Sequence, residues 1–183
     1  MGLVAQLAPH CYRERRRWRC ARLSRSGMAD GPITLFQSDY VVVSLEFGGR
    51  IVRYRRLAQP FPSLSCAAEV YASVIKAYDQ IGRTGRGLLI DSRDAPGRND
   101  PEFEALLADF RSKALPGFTG NAVLVRTAVG LLQAQRHSRS EGRIRLITDD
   151  VHEAIGELLK VSPGPGKSSP VGPASRISGT TRR

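Results

Sequence analysis

Between residues 33 and 160 the chain alternates two hydrophobic periodicities, and that alternation restricts the fold more than any other feature. Short β-branched or aliphatic runs stand at 41–43, 88–90, 122–125 and 144–147. Between them lie stretches whose apolar residues recur every three or four positions, the spacing of one helix face. Residues 33–36 and 40–47 read as extended. Gly48 and Gly49 give a turn, and 51–54 resumes a strand, so the segment opens with a β-hairpin. Pro60 and Pro62 break the chain. Ser63 or Ser65 can then cap a helix with Leu64, Ala67, Tyr71, Val74, Ile75 and Tyr78 inward, which Gly82 ends.

The run 87–91 ends in Asp91, as a buried parallel strand would. Asp100 as N-cap and Pro101 at the first helical position start a second helix, with Phe103, Leu106, Leu107 and Phe110 inward. Residues 122–125 form another buried strand. Thr127 can cap a third helix reaching about His137, and 144–147 is the last strand. Thr148 or Asp149 caps a final helix carrying Val151, Ile155, Leu158 and Leu159. The expected order is β-β-α-β-α-β-α-β-α, an α/β domain with a mixed, mostly parallel sheet covered by helices.

Charge separates this module from its ends. The net charge is +11, but residues 31–160 hold 17 basic against 15 acidic residues. Residues 1–30 carry seven arginines against Glu14 and Asp30, and residues 161–183 carry Lys167, Arg176, Arg182 and Arg183 with no acid. The expected organisation is a basic extension over 1–30, a domain over 31–160 and a tail over 161–183, both ends disordered by composition. The N-terminal run around Tyr12 and Trp18 reads as an arm contacting phosphate, a transit peptide, a plain tail, or sequence upstream of a true start at Met28. Nucleic acid is expected to meet the tails weakly and the domain not at all.

Cys11, Cys20 and Cys66 are odd in number and far apart, so they form no disulfide framework and no zinc spacing. Cys66 reads as an apolar filler in the first turns of the first helix. No apolar stretch approaches the roughly 18 residues of a membrane span. No metal and no cofactor is expected, and the cytoplasm is the expected location. The loops at 82–87 and 94–98 lack phosphate-binding spacing, His10, His137 and His152 are isolated, and no Ser-His-Asp elbow is present.

The element order, together with the segments 121–129 and 144–154, resembles the STAS domain, the SpoIIAA-like fold of anti-sigma-factor antagonists. The stretches 99–104 and 125–130, with Gln133, Gln135, Arg136 and His137, also resemble small bacterial proteins of that fold without assigned activity. The resemblance implies a non-enzymatic regulatory module that binds a protein partner. It further implies a surface at the second helix N-terminus (Arg98, Asn99, Asp100, Glu102) and on the third helix (Gln133, Arg136, His137). The family's phosphorylatable serine at the second helix start is replaced here by Arg98-Asn99-Asp100-Pro101, and Ser92 stands too far upstream to substitute.

Ligands in open α/β sheets sit beyond the carboxyl ends of the strands. Asp91, Ser92, Arg93, Arg126 and Thr127 are the anion-site candidates there. A small-ligand or lipid carrier, to which sequences of the CRAL-TRIO type are similar at this level, would need an internal apolar cavity. The short helices and compact apolar runs argue against one.

Residues 1–27 hold no apolar periodicity, so their removal should leave the melting temperature nearly unchanged. A drop beyond about 5 °C in a calorimetric scan, roughly 1 kcal/mol for a domain of this size, would contradict the domain boundary.

Overall fold

The computed structural model describes residues 31–98, 100–141 and 144–166. Three strands, β1 (Ile33–Gln37), β2 (Val41–Glu46) and β3 (Ile51–Arg56), precede the first helix, α1 (Leu64–Ile81). Then follow β4 (Gly87–Asp91), α2 (Pro101–Ala114), β5 (Gly120–Leu124), α3 (Ala128–Glu141), β6 (Ile144–Thr148) and α4 (Val151–Val161). The strands lie in one sheet in consecutive order, β1 to β6. The pairs β1–β2 and β2–β3 are antiparallel, and β3–β4, β4–β5 and β5–β6 are parallel. The α/β class and the mixed sheet agree with the sequence.

The expected order is short by one strand. Residues 33–36 and 40–47 are separate strands because the chain reverses at Ser38. Its N–H donates to the Val41 carbonyl at 2.9 Å and its hydroxyl accepts from the Val41 N–H at 3.1 Å. The turn between β2 and β3 is a 3-10 turn at Phe47–Gly49, with Gly48 and Gly49 at φ 62° and 85°, values that favour glycine.

Capping follows the expectation at α1, α2 and α3, the last through Thr127, and departs from it at α4. Ser63 accepts from the Cys66 N–H and Asp100 from the Phe103 N–H. The α4 cap is Asp150, not Thr148 or Asp149. Its carboxylate accepts from the His152 N–H at 2.7 Å, while the Thr148 hydroxyl accepts from the Asp150 N–H at 3.1 Å. α3 runs to Glu141, four residues past the expected end.

The sheet carries a core on each face. On one, Val41, Val43, Val52, Tyr54 and Leu88 meet α1 and α2 through Val70, Tyr71, Val74, Phe103 and Phe110. On the other, Ile51, Leu89, Ala122 and Leu124 meet Ala154 and Leu158 of α4. This division follows from the two-residue period of the strands. α4 spans β3 to β6, whereas the same face of β1 and β2 stays polar, with Thr34, Ser44 and Glu46. Antiparallel strands tolerate such one-sided covering.

The packed chain continues past residue 160. Arg50 donates from Nε to the Ser162 carbonyl at 2.7 Å and from Nη2 to the Leu159 carbonyl at 2.5 Å, satisfying acceptors at the end of α4. Ser162 is buried and the Gly164 N–H donates to the Gly85 carbonyl at 2.9 Å. The tails at 1–30 and 167–183 lie outside the described residues.

Gly85 has φ 78°, and a Cβ there would stand 2.6 Å from the Gly164 carbonyl oxygen. Gly85→Ala should cost about 2 kcal/mol or more in urea denaturation, since both the backbone conformation and the contact oppose it.

Candidate functional site

The carboxyl ends of β3, β4 and β5 stand side by side, and the chain leaves β4 and β5 there toward the starts of α2 and α3. Behind this edge β3–β5, α1, α2 and the start of α3 enclose a cleft of about 690 Å³. Small-molecule sites commonly measure ~300–1,000 Å³. α2 packs chiefly on α1 and reaches the sheet through Phe110, whose ring centre is 5.8 Å from that of Tyr54.

The walls are apolar and aromatic. Tyr54, Leu88, Ile90 and Val123 form the sheet side, and Phe61, Tyr71, Phe103, Leu107 and Phe110 the opposite side. Tyr71 stacks on Phe110 at 4.3 Å and 15°, and meets the Phe61 ring edge-on at 5.6 Å and 77°. Such pairs hold rings in fixed orientations. Strand alternation places Tyr54 and Arg56 here and turns Arg53 and Arg55 to the other face.

Arg56, Arg93, Arg98, Arg111 and Arg126 line the cleft, against the single acid Glu104. Arg56 is buried, donates from Nη1 to the Tyr40 and Leu57 carbonyls at 2.7 and 2.8 Å, and lies 4.1 Å over the Phe61 ring. Arg98 donates to Asp100 and sits 4.7 Å over the Phe103 ring. That hydrogen bond holds the Asp100 carboxyl below its ordinary value. Arg56 is itself pushed down by burial.

Two carboxylates fasten the mouth to the sheet. Asp91, 2 % exposed, accepts from Arg93 Nε and Nη2, both at 2.9 Å, and from Arg53 Nη2 at 2.6 Å. Asp94 accepts from Arg126 Nη2 at 2.9 Å and Arg55 Nη2 at 3.3 Å. Glu46 lies 3.9 Å from Arg53. Burial alone would raise the Asp91 carboxyl. The hydrogen bonds from Arg93 and Arg53, with their charges, outweigh it and bring the carboxyl down to about 2.

Of the anion-site candidates, Ser92, Arg93, Arg126 and Thr127 line the cleft, whereas Asp91 does not and instead holds Arg93 and Arg53. Thr127 caps α3, accepting from the Gly130 N–H at 3.0 Å. Of the partner-surface candidates, Arg98 and Asp100 form one pair, and Glu102 and Arg136 are exposed on α2 and α3. Asn99 and the side chains of Gln133 and His137 lie outside the described residues. Sequence reasoning passed over Tyr54, Tyr71, Phe61, Arg53, Arg56 and Asp94 as site residues. The run Arg53-Tyr54-Arg55-Arg56 was the available signal, because three arginines on a half-buried strand must find partners at its edges.

Among the described residues no group of His, Cys, Asp and Glu could hold a metal ion, and no helix is long and apolar enough to cross a membrane. No family model, curated protein or solved structure matches the chain.

The Asp91 carboxyl lies at about 2 in the folded chain and at about 3.9 in an unfolded one. Its stabilisation is therefore complete above pH ~4 and lost as pH falls through 2. Asp91→Asn should cost about 2 kcal/mol at pH 7, below the figure for a fully buried pair because both arginines keep some solvent. The gap between the two proteins in urea denaturation should close between pH 4 and pH 2.

Proposed function

We propose that this chain is a non-enzymatic binding module with a STAS-like arrangement of β-α units, and that its cleft takes a small amphiphilic anion. One observation carries the reading: a cleft with aromatic and aliphatic walls is also lined by five arginines and one acid. The apolar body of such a ligand would displace solvent from the interior, and its carboxylate or phosphate would lie among guanidinium groups suited to planar, paired hydrogen bonds. The described lining holds no His or Cys, so neither a metal nor a thiol mechanism offers itself there. This favours the carrier reading over a simple docking module.

A protein partner is the second reading. It is supported by Val129 and Leu132 on α3, each 66 % exposed, beside the exposed Arg136 and the same cleft mouth. In a STAS-like regulatory module this surface would carry the partner, and cleft occupancy would alter its rim. Arg136→Glu should then weaken partner capture roughly tenfold. The chain departs from the family's phosphate switch at Arg98-Asn99-Asp100-Pro101, so regulation through Ser92 phosphorylation is not part of the proposal.

Thermal melts of the full chain test the ligand reading. Decanoate and decyl phosphate at about a hundred times their dissociation constants should add about 2.7 kcal/mol of stability. Decanol should add far less, and Arg126→Glu should reduce the effect of both anions. No stabilisation by any anionic amphiphile would remove the proposal.

A further inference from the structure

Three tyrosines line the deeper part of the cleft: Tyr54 on β3 and Tyr71 and Tyr78 on α1. They are 5 %, 4 % and 1 % exposed. Tyr71 and Tyr78, seven residues apart, project from one helix face toward the strand that carries Tyr54. The three groups interact electrostatically with one another across the cleft, through Tyr54. Their rings are engaged, Tyr71 with Phe110 and Tyr78 edge-on to Phe118 at 5.3 Å. None of their hydroxyl oxygens is among the sealed, unpartnered atoms of the described residues, and none bonds to another described residue, so the three open onto the cleft.

Three hydroxyls that open onto one cleft are donors that a ligand oxygen can meet. Burial raises all three, Tyr71 to about 12 and Tyr54 and Tyr78 also upward. They stay neutral and can donate at any physiological pH. The arginines lie at the other end: Tyr71 is within electrostatic reach of Arg56, Arg111 and Arg98, whereas Tyr78 senses only Arg83, which belongs to the α1–α2 junction.

We propose that the cleft selects an oxygenated amphiphile: an anionic head at the arginines and, within its apolar body, a carbonyl or hydroxyl oxygen that accepts from Tyr54, Tyr71 or Tyr78. The proposal rests on the cleft being an anion-binding site and adds the chemistry of the ligand's interior. A plain hydrocarbon chain would fill the same space and leave all three donors unmatched. An oxygen placed among them would accept the hydrogen bond that a plain chain denies to the hydroxyls when it displaces solvent from them.

Titration calorimetry of the full chain with decanoate and its mono-oxo isomers separates the two claims. At least one oxo isomer should bind roughly tenfold tighter than decanoate, about 1.4 kcal/mol. In Tyr54→Phe and in Tyr78→Phe the ratio of oxo-isomer affinity to decanoate affinity should fall toward one. Both variants keep the ring and its packing and should melt close to the wild-type temperature. If either fails to fold, the other and Tyr71→Phe carry the comparison. Decanoate binding as tightly as every oxo isomer would overturn the selection by tyrosines while leaving the anion site standing. Binding of none of them would overturn both. An oxo advantage unchanged in all three Phe variants would place its origin elsewhere and end the proposal.

Discussion

The stack of Tyr71 on Phe110 sets how far α2 stands from the sheet, and the rest of the site depends on that distance. Tyr71 comes from α1 and Phe110 from α2, so the pair, 4.3 Å apart, joins the two helices to each other before either meets a strand. Phe61 closes against the edge of Tyr71, and Tyr54 reaches up from β3 to Phe110. Flat rings at these angles cannot collapse into the space beneath them as Leu or Met side chains could. The volume between α2 and the β4–β5 surface therefore remains as a cleft. Phe110 holds two roles at once, as a core residue 7 % exposed and as a wall of the site.

The charged groups at the carboxyl edge serve the same geometry from the opposite face. Asp91 is shared by Arg53 and Arg93, and Asp94 by Arg55 and Arg126. Asp94 neutralises one of its two arginines and leaves positive charge at the edge, whereas Asp91 together with Glu46 balances Arg53 and Arg93. The arginines that face the mouth are also held in place before any ligand arrives, which lowers the ordering cost of binding an anion. The asymmetry of solvent matters here: Asp91 is sealed, whereas the Arg126 side chain is 66 % exposed. The first pair fixes the loop after β4, and the second tunes the field at the entrance and is open to salt screening.

The fold was legible where one residue type has one local use. The apolar runs gave β4, β5 and β6, and Ser63 and Asp100 stand where an N-cap must. The turn at Ser38 was not legible, because its reversal rests on one side chain bonding back to the Val41 backbone rather than on Gly or Pro. Thr148, Asp149 and Asp150 can each cap a helix, and the extension of β6 to Thr148 left Asp150 to do so. The anion candidates after β4 and β5 were found because strand ends converge in any parallel sheet. The aromatic walls were not, because Tyr71, Tyr78 and Phe110 have helix-core spacing. Nothing in that spacing tells a ring that fills a core from one that bounds a void.

That ambiguity has a thermodynamic side. Leu88 and Val123 on the sheet side are already 1 % and 7 % exposed, so further settling of α2 would bury almost no additional apolar surface there. What the cleft leaves open is polar: three tyrosine hydroxyls that no described residue accepts from, on the same lining as five arginines. A ligand suited to it therefore contributes an anion and an acceptor oxygen as well as an apolar body, since apolar surface alone would displace solvent from those donors without replacing its hydrogen bonds.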